Sequence, residues 1–76
     1  MNKQRRKRIT EAIELLEQAQ QIIEEVKDEE QEAYDNLPEG LQCGERGEAM
    51  EEAVNNLEEA YDSVGDIIDT LETAQE

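Results

Sequence analysis

From Ala49 to Gln75, apolar residues recur at alternating steps of three and four, the spacing of one stripe along an α-helix. Written as heptads, Met50, Leu57, Val64 and Leu71 fall at position a, and Ala53, Ala60, Ile67 and Ala74 at position d. That is a seam by which one helix buries itself against another. The flanks are uncharged too: e holds Val54, Tyr61, Ile68 and Gln75, and g holds Ala49, Asn56, Ser63 and Thr70. Two-stranded coiled coils ordinarily carry Glu and Lys at e and g. This helix is therefore expected to take more than one neighbour.

The same register runs through the first half of the chain. Position a holds Ile9, Leu16, Ile23 and Glu30, position d holds Ala12, Ala19, Val26 and Ala33, and Ile13, Leu15, Ile22 and Tyr34 widen the face. The pattern predicts a helix over about 3–35, a loop over 36–45 and a second helix over about 46–75, in a single domain spanning 1–76. Alanine at most d positions should let the two backbones approach closely as an antiparallel pair, leaving the bulkier flanks to other copies. Lys27, Glu29 and Glu30 interrupt the first face, so a packing defect is expected there, most simply a helix end splaying into solvent. Pro38 ends the first helix, because it disfavours helical geometry at Leu37 and has no N–H to donate. Gly40, Gly44 and Gly47 then supply turn positions, and Leu37 and Leu41 are expected to fold back over the end of the core. Glu45, Glu48, Glu51 and Glu52 crowd the start of the second helix, where acids favour the helix dipole. The predicted fold class is all-α: an antiparallel two-helix hairpin with heptad seams, assembling as a homo-oligomeric helical bundle, either a dimer making four helices or a higher assembly.

Composition strengthens the case for assembly. A chain of 76 residues buries little surface on its own. With one cysteine, Cys43, and no histidine, it has neither an intrachain disulfide nor an ordinary zinc site to compensate. Charge is sharply divided: Lys3, Arg5, Arg6, Lys7 and Arg8 make residues 1–8 +5, and Lys27 and Arg46 against 22 acids make the rest −20, for a net −15. No apolar core of a signal peptide follows the basic start, since Glu11 and Glu14 interrupt it. No stretch is apolar enough to span a membrane. A cytoplasmic protein with a reduced Cys43 is expected.

No nucleophile stands beside a base, and there is no phosphate-binding glycine loop or calcium loop. The pairs Glu24/Glu25, Glu29/Glu30 and Glu58/Glu59 read as solvated helix faces. The expectation is a non-enzyme with no cofactor and no metal. The basic start carries more information. Extending the heptad back from Ile9 puts Arg5 at d, Arg6 at e and Arg8 at g, the inward side of the open end. There they form a candidate phosphate-binding site at a helix N-terminus, against the simpler alternatives of a solvated tail or a bridge to acids of a neighbouring subunit. Tyr34, Tyr61, Asn56, Ser63 and Thr70 are candidate pocket-lining residues; the polar row of the last three could equally set register between subunits. Ile13, Leu15, Ile22, Val54, Tyr61 and Ile68 are the candidate oligomer interface.

The MNKQRRKR start, the acidic heptads and the junction DNLPEGLQCGERGEAMEEA resemble a group of short acidic helical-hairpin proteins of phages and other mobile elements of Gram-positive bacteria. The likeness covers nearly the whole chain, and the junction is its distinctive part. It implies a setting in the host bacterial cytoplasm, where small phage proteins of this type act without catalysis by binding host components. No residue role is carried over from it. Three function classes follow: an inhibitor of host defence that sequesters an anionic nucleotide signal, with Arg5, Arg6 and Arg8 on phosphates; an acidic nucleic-acid mimic that blocks a basic host protein; and a structural or adaptor bundle with no ligand. Direct DNA binding is not expected, because the acidic body repels it.

Overall fold

The computed structural model describes residues 1–76 as three helices: α1 (Lys3–Asp35), α2 (Glu39–Gln42) and α3 (Glu45–Gln75). The chain is all-α, and α1 and α3 lie side by side as a rod whose Cα atoms span 58 × 15 × 12 Å. Asn2 starts α1, its side-chain oxygen accepting from the Arg5 N–H at 2.8 Å. Asn36 ends it, its N–H bonded to the Glu32 carbonyl at 3.0 Å. The two long helices match the sequence expectation within a residue. The expected loop is tighter than a loop: Pro38 caps the single turn α2, with Leu41 and Gln42 N–H groups donating to its carbonyl.

The seam is not the one the alanines suggest. Along α1 the row Ile9, Ile13, Leu16, Gln20, Ile23, Lys27, Glu30 and Tyr34, and along α3 the row Met50, Val54, Leu57, Tyr61, Val64, Ile68, Leu71 and Gln75, are buried or half-buried throughout. These are positions a and e, again alternating by four and three. Ile13 and Ile68 are the most enclosed apolar residues, each 8% exposed. Position d lies at the edge of that seam: Ala12, Ala33, Ala53 and Ala60 are half-buried, and Ala19, Val26, Ile67 and Ala74 are exposed. The reason is bulk. Enclosing Val, Ile or Tyr at e removes far more apolar surface from water than enclosing Ala at d, at about 25 cal/mol per Å². So Ile13, Val54, Tyr61 and Ile68, expected to meet neighbouring copies, line the inside of the hairpin instead.

Polar groups fix its register. Gln20, at an e position in the seam, donates from Nε2 to the main-chain carbonyl of Tyr61 at 3.1 Å. Gly65 makes room, since a Cβ there would stand 3.2 Å from that nitrogen. At the open end Gln75 donates to the Arg6 carbonyl at 3.0 Å and to the Thr10 hydroxyl at 2.6 Å. At the closed end Gln42 donates to the Tyr34 carbonyl at 3.1 Å, and Gly47 is buried directly against the Gln42 backbone. Gly47 thus serves closeness and not conformational freedom; no glycine has a positive φ. Leu37 is half-buried as expected, but Leu41 is exposed. The helix does not splay at Lys27 to Glu30. It runs on to Asp35, and the expected defect takes the form of a concavity of about 200 Å³ lined by Val26, Glu29 and Glu30.

Candidate functional site

Because α1 begins at Lys3, the basic cluster is helical from its first residue and its side chains are dealt out by the 100° turn between successive residues. Arg5 and Arg8, three apart, come to one side and line a shallow concavity of about 350 Å³ with Met1, Ile9 and Ala12. Arg6 goes elsewhere: its Nη2 donates to the main-chain oxygen of Glu76 at 3.4 Å, across the open end of the hairpin. Two of the three expected arginines are therefore brought together, and the third ties α1 to the end of α3. Lys3, Arg5 and Arg6 fall in the first turn of α1, which holds no acid. Exposed cations there oppose the helix dipole by roughly 0.3–1 kcal/mol each. Nothing in helix stability calls for them.

The other candidate residues are scattered along the rod. Tyr34 sits 26 residues beyond Arg8 on the same helix, roughly 39 Å away at 1.5 Å per residue. It is half-buried where α1 meets the α2–α3 junction, and its phenol is pushed above its ordinary value, first by desolvation and then by the negative charges of Glu51, Cys43 and Asp35. Tyr61 packs in the seam beside Gln20. Asn56, Ser63 and Thr70 are exposed one heptad apart, about 10.5 Å between neighbours, and the Thr70 hydroxyl donates to its own helix at Asp66. No single pocket gathers the tyrosines, the polar row and the arginines. No group of His, Cys, Asp or Glu converges as metal ligands, and Cys43 is a free, exposed thiol.

What the arrangement does supply is a division of the surface. With the seam at a and e, positions d and g fall on one flank of each helix and b and f on the other. In an antiparallel pair that shares its seam letters, equal letters turn to the same side, so the d and g rows of α1 and α3 form one continuous face. Leu15 (66% exposed), Ile22 (59%), Val26 and Ile67 all lie on it; the other large exposed apolar residues, Met1 and Leu41, are at the two ends. Arg5 and Arg8 belong to the same rows. Along these rows in α1 and α3 the only acid is Glu29. The remaining faces carry the charge, and of the 22 acids all but Glu24 and Glu30 are exposed.

Comparison with protein-family models, curated proteins and solved structures returned no match. The reading of the site therefore rests on its own residues. Two of these, Gln20 and Gly65, were not singled out from the sequence. A glycine in mid-helix, far from any turn, was the signal that could have found them.

Proposed function

We propose that the chain is a non-catalytic binding protein that presents an acidic rod to a basic, nucleic-acid-binding surface of a host protein, acting as a mimic of nucleic acid. The observation that carries this reading is the density of exposed carboxylate along the rod. A net charge of −15 over 58 Å is one charge per about 3.9 Å. Two copies aligned over their full length would have one per about 1.9 Å, near the roughly 1.7 Å per charge of duplex DNA. Such a surface attracts basic grooves over long range and associates quickly. The assembly is part of the proposal, as a homo-oligomer in the bacterial cytoplasm of a phage host.

The test is displacement. Fluorescent duplex DNA bound to a basic host DNA-binding protein is titrated with the chain at several salt concentrations. The expected result is competition that weakens steeply with salt. Competition equally strong after Glu11, Glu25, Glu32, Glu52 and Glu59 are changed to Gln would refute the mimic.

A second reading is supported by the concavity at Arg5 and Arg8: capture of an anionic nucleotide signal, with the two guanidiniums on phosphate oxygens. It predicts stoichiometric nucleotide binding in equilibrium dialysis, lost on Arg5→Glu or Arg8→Glu. Binding that survives both changes would remove these arginines from the site. The distance from Arg8 to Tyr34 favours the first reading, because one chain offers no aromatic platform beside the phosphates.

A further inference from the structure

Leu15, Ile22, Val26 and Ile67 leave an apolar face of the hairpin uncovered. We propose that it binds a second copy of the chain in antiparallel sense, so that Arg5 and Arg8 of each copy dock on the acidic closed end of the other. The inference rests on the homo-oligomer of the proposed function and specifies its geometry, and its test needs no target protein.

Area comes first. The chain exposes 5794 Å², whereas a compact monomer of 8.7 kDa should expose about 4,700 Å² by the usual scaling. The excess, about 1,100 Å², is of the size that a standard interface takes from each partner, about 800 Å². Only Ile13, Ile68 and Gly47 are buried, and no side chain is fully enclosed. The hairpin lacks a finished core, and the surface that would finish one is the d and g face.

Charge then sets the sense. The closed end, residues 24–52, holds twelve acids against Lys27 and Arg46, a net −10; the open end, residues 1–12 with 69–76, holds five cations against Glu11, Asp69, Glu72 and Glu76, a net +1. Stacking like ends would place two −10 ends together. The antiparallel arrangement separates them along the 58 Å rod and gives each basic turn an acidic neighbour. A two-fold axis near Ala19 meets every requirement at once. It brings Leu15 level with the partner's Ile22, and Arg8 level with the partner's Glu29. It also sets the concavity of Arg5 and Arg8 against the one lined by the partner's Glu29 and Glu30. The small Ala19 at the axis permits close approach. The cations that oppose the α1 dipole thereby find their counter-charge.

Three measurements on the full chain decide it. Sedimentation equilibrium should give twice 8.7 kDa at micromolar concentration, and a monomer at 100 µM overturns the proposal. Leu15→Glu with Ile22→Glu should raise the dimer Kd at least about a hundredfold, with helix content retained. If that variant does not fold, the sense is read from cross-linking in a Cys43→Ser background. Ala19→Cys alone should form a covalent dimer under mild oxidation, since the axis brings the two thiols together. Gln20 lies between Tyr61 and Gly65, so Ala19 is level with Ser63. Cross-linking that requires Ala19→Cys and Ser63→Cys together would show like ends stacked, and would overturn the antiparallel sense. As a further check, Arg8→Glu and Glu29→Arg should each weaken the dimer about tenfold or more and restore it when combined; failure to restore would remove that contact.

Discussion

Gly47→Ala tests how the hairpin is closed. Position 47 is inside α3, with ordinary helical geometry, so alanine there should stabilise by roughly 0.8–1 kcal/mol on helix propensity alone. The structure predicts the opposite sign. A Cβ on Gly47 would collide with the Gln42 carbonyl oxygen and stand 2.5 Å from its carbon and 2.7 Å from its Cα, all backbone atoms. Ordinary contact begins near 3.5 Å, so α2 and α3 must separate by about 1 Å. Overpacking of this kind costs about 1–3 kcal/mol. Opening the junction also strains the hydrogen bond from Gln42 to the Tyr34 carbonyl, about 0.5–1.5 kcal/mol when lost. The net expectation is destabilisation by about 1–3 kcal/mol, and a midpoint lowered by several degrees at 4–8 °C per kcal/mol in a domain this small. Far-UV circular dichroism during heating and urea titration measures it, at matched protein concentration because self-association would shift the midpoint. Gly40→Ala is the control: nothing lies within 4 Å of its Cβ, and it should be neutral or slightly stabilising. A Gly47→Ala protein that melts at or above the unchanged chain would refute the packing argument at the junction.

Three other outcomes follow from the same geometry. Gly65→Ala should leave stability within about 1 kcal/mol, because the helix gain offsets displacement of the flexible Gln20 side chain from the Tyr61 carbonyl; a large loss on melting would mean that Gln20 cannot move. In a Tyr61→Phe background, absorbance titration should find the Tyr34 phenol ionising above its ordinary value, and Glu51→Gln should bring it down. Since the neutral form is favoured in the fold, its contribution to stability is present below the unfolded pKa and is lost as pH rises through the raised one; an ordinary value in the folded protein would contradict the burial. Raising salt from 0.05 to 0.5 M should tighten the dimer, by screening −15 against −15, while weakening binding to a basic partner; equal responses would mean that one of these interactions is not electrostatic in the way argued.

Helix spans were legible because the period and the breakers agree: apolar steps of three and four fill residues 3–35 and 45–75, and Pro38 falls between them. The facing of those helices was not. Position a belongs to both candidate seams, so periodicity alone leaves a choice between d and e as its companion, and a rotation of some tens of degrees exchanges inside for outside. Bulk decides it, through Ile13, Val54, Tyr61 and Ile68 against a row of alanines, and that comparison requires both helices at once. The charged residues misled for a related reason. Lys27 and Glu30 looked like the end of a seam, yet long side chains can lie along it half-buried with their charged ends in water. At the basic end, sequence register put Arg5 at d, Arg6 at e and Arg8 at g, all on the inward side, whereas the a and e seam leaves Arg5 and Arg8 on the flank. Only the antiparallel partner helix, ending beside it, shows that Arg6 is spent on Glu76.

The two readings of function compete for one surface. If copies pair antiparallel, Arg5 and Arg8 face the partner's Glu29 and Glu30, and the basic concavity is no longer open to a nucleotide. The same pairing withdraws the apolar residues and the strongest positive patch from solvent together, leaving acids over most of the exterior. Self-association therefore converts a chain with a basic end into a nearly uniform polyanion and brings its linear charge toward that of a duplex. A nucleotide-binding protein would need those arginines free, and would have to dissociate or pair in the other sense to use them. The sense of the dimer thus bears on function: antiparallel cross-linking through Ala19→Cys would favour the mimic, and a dimer with like ends together would return the arginines to a shared anion site.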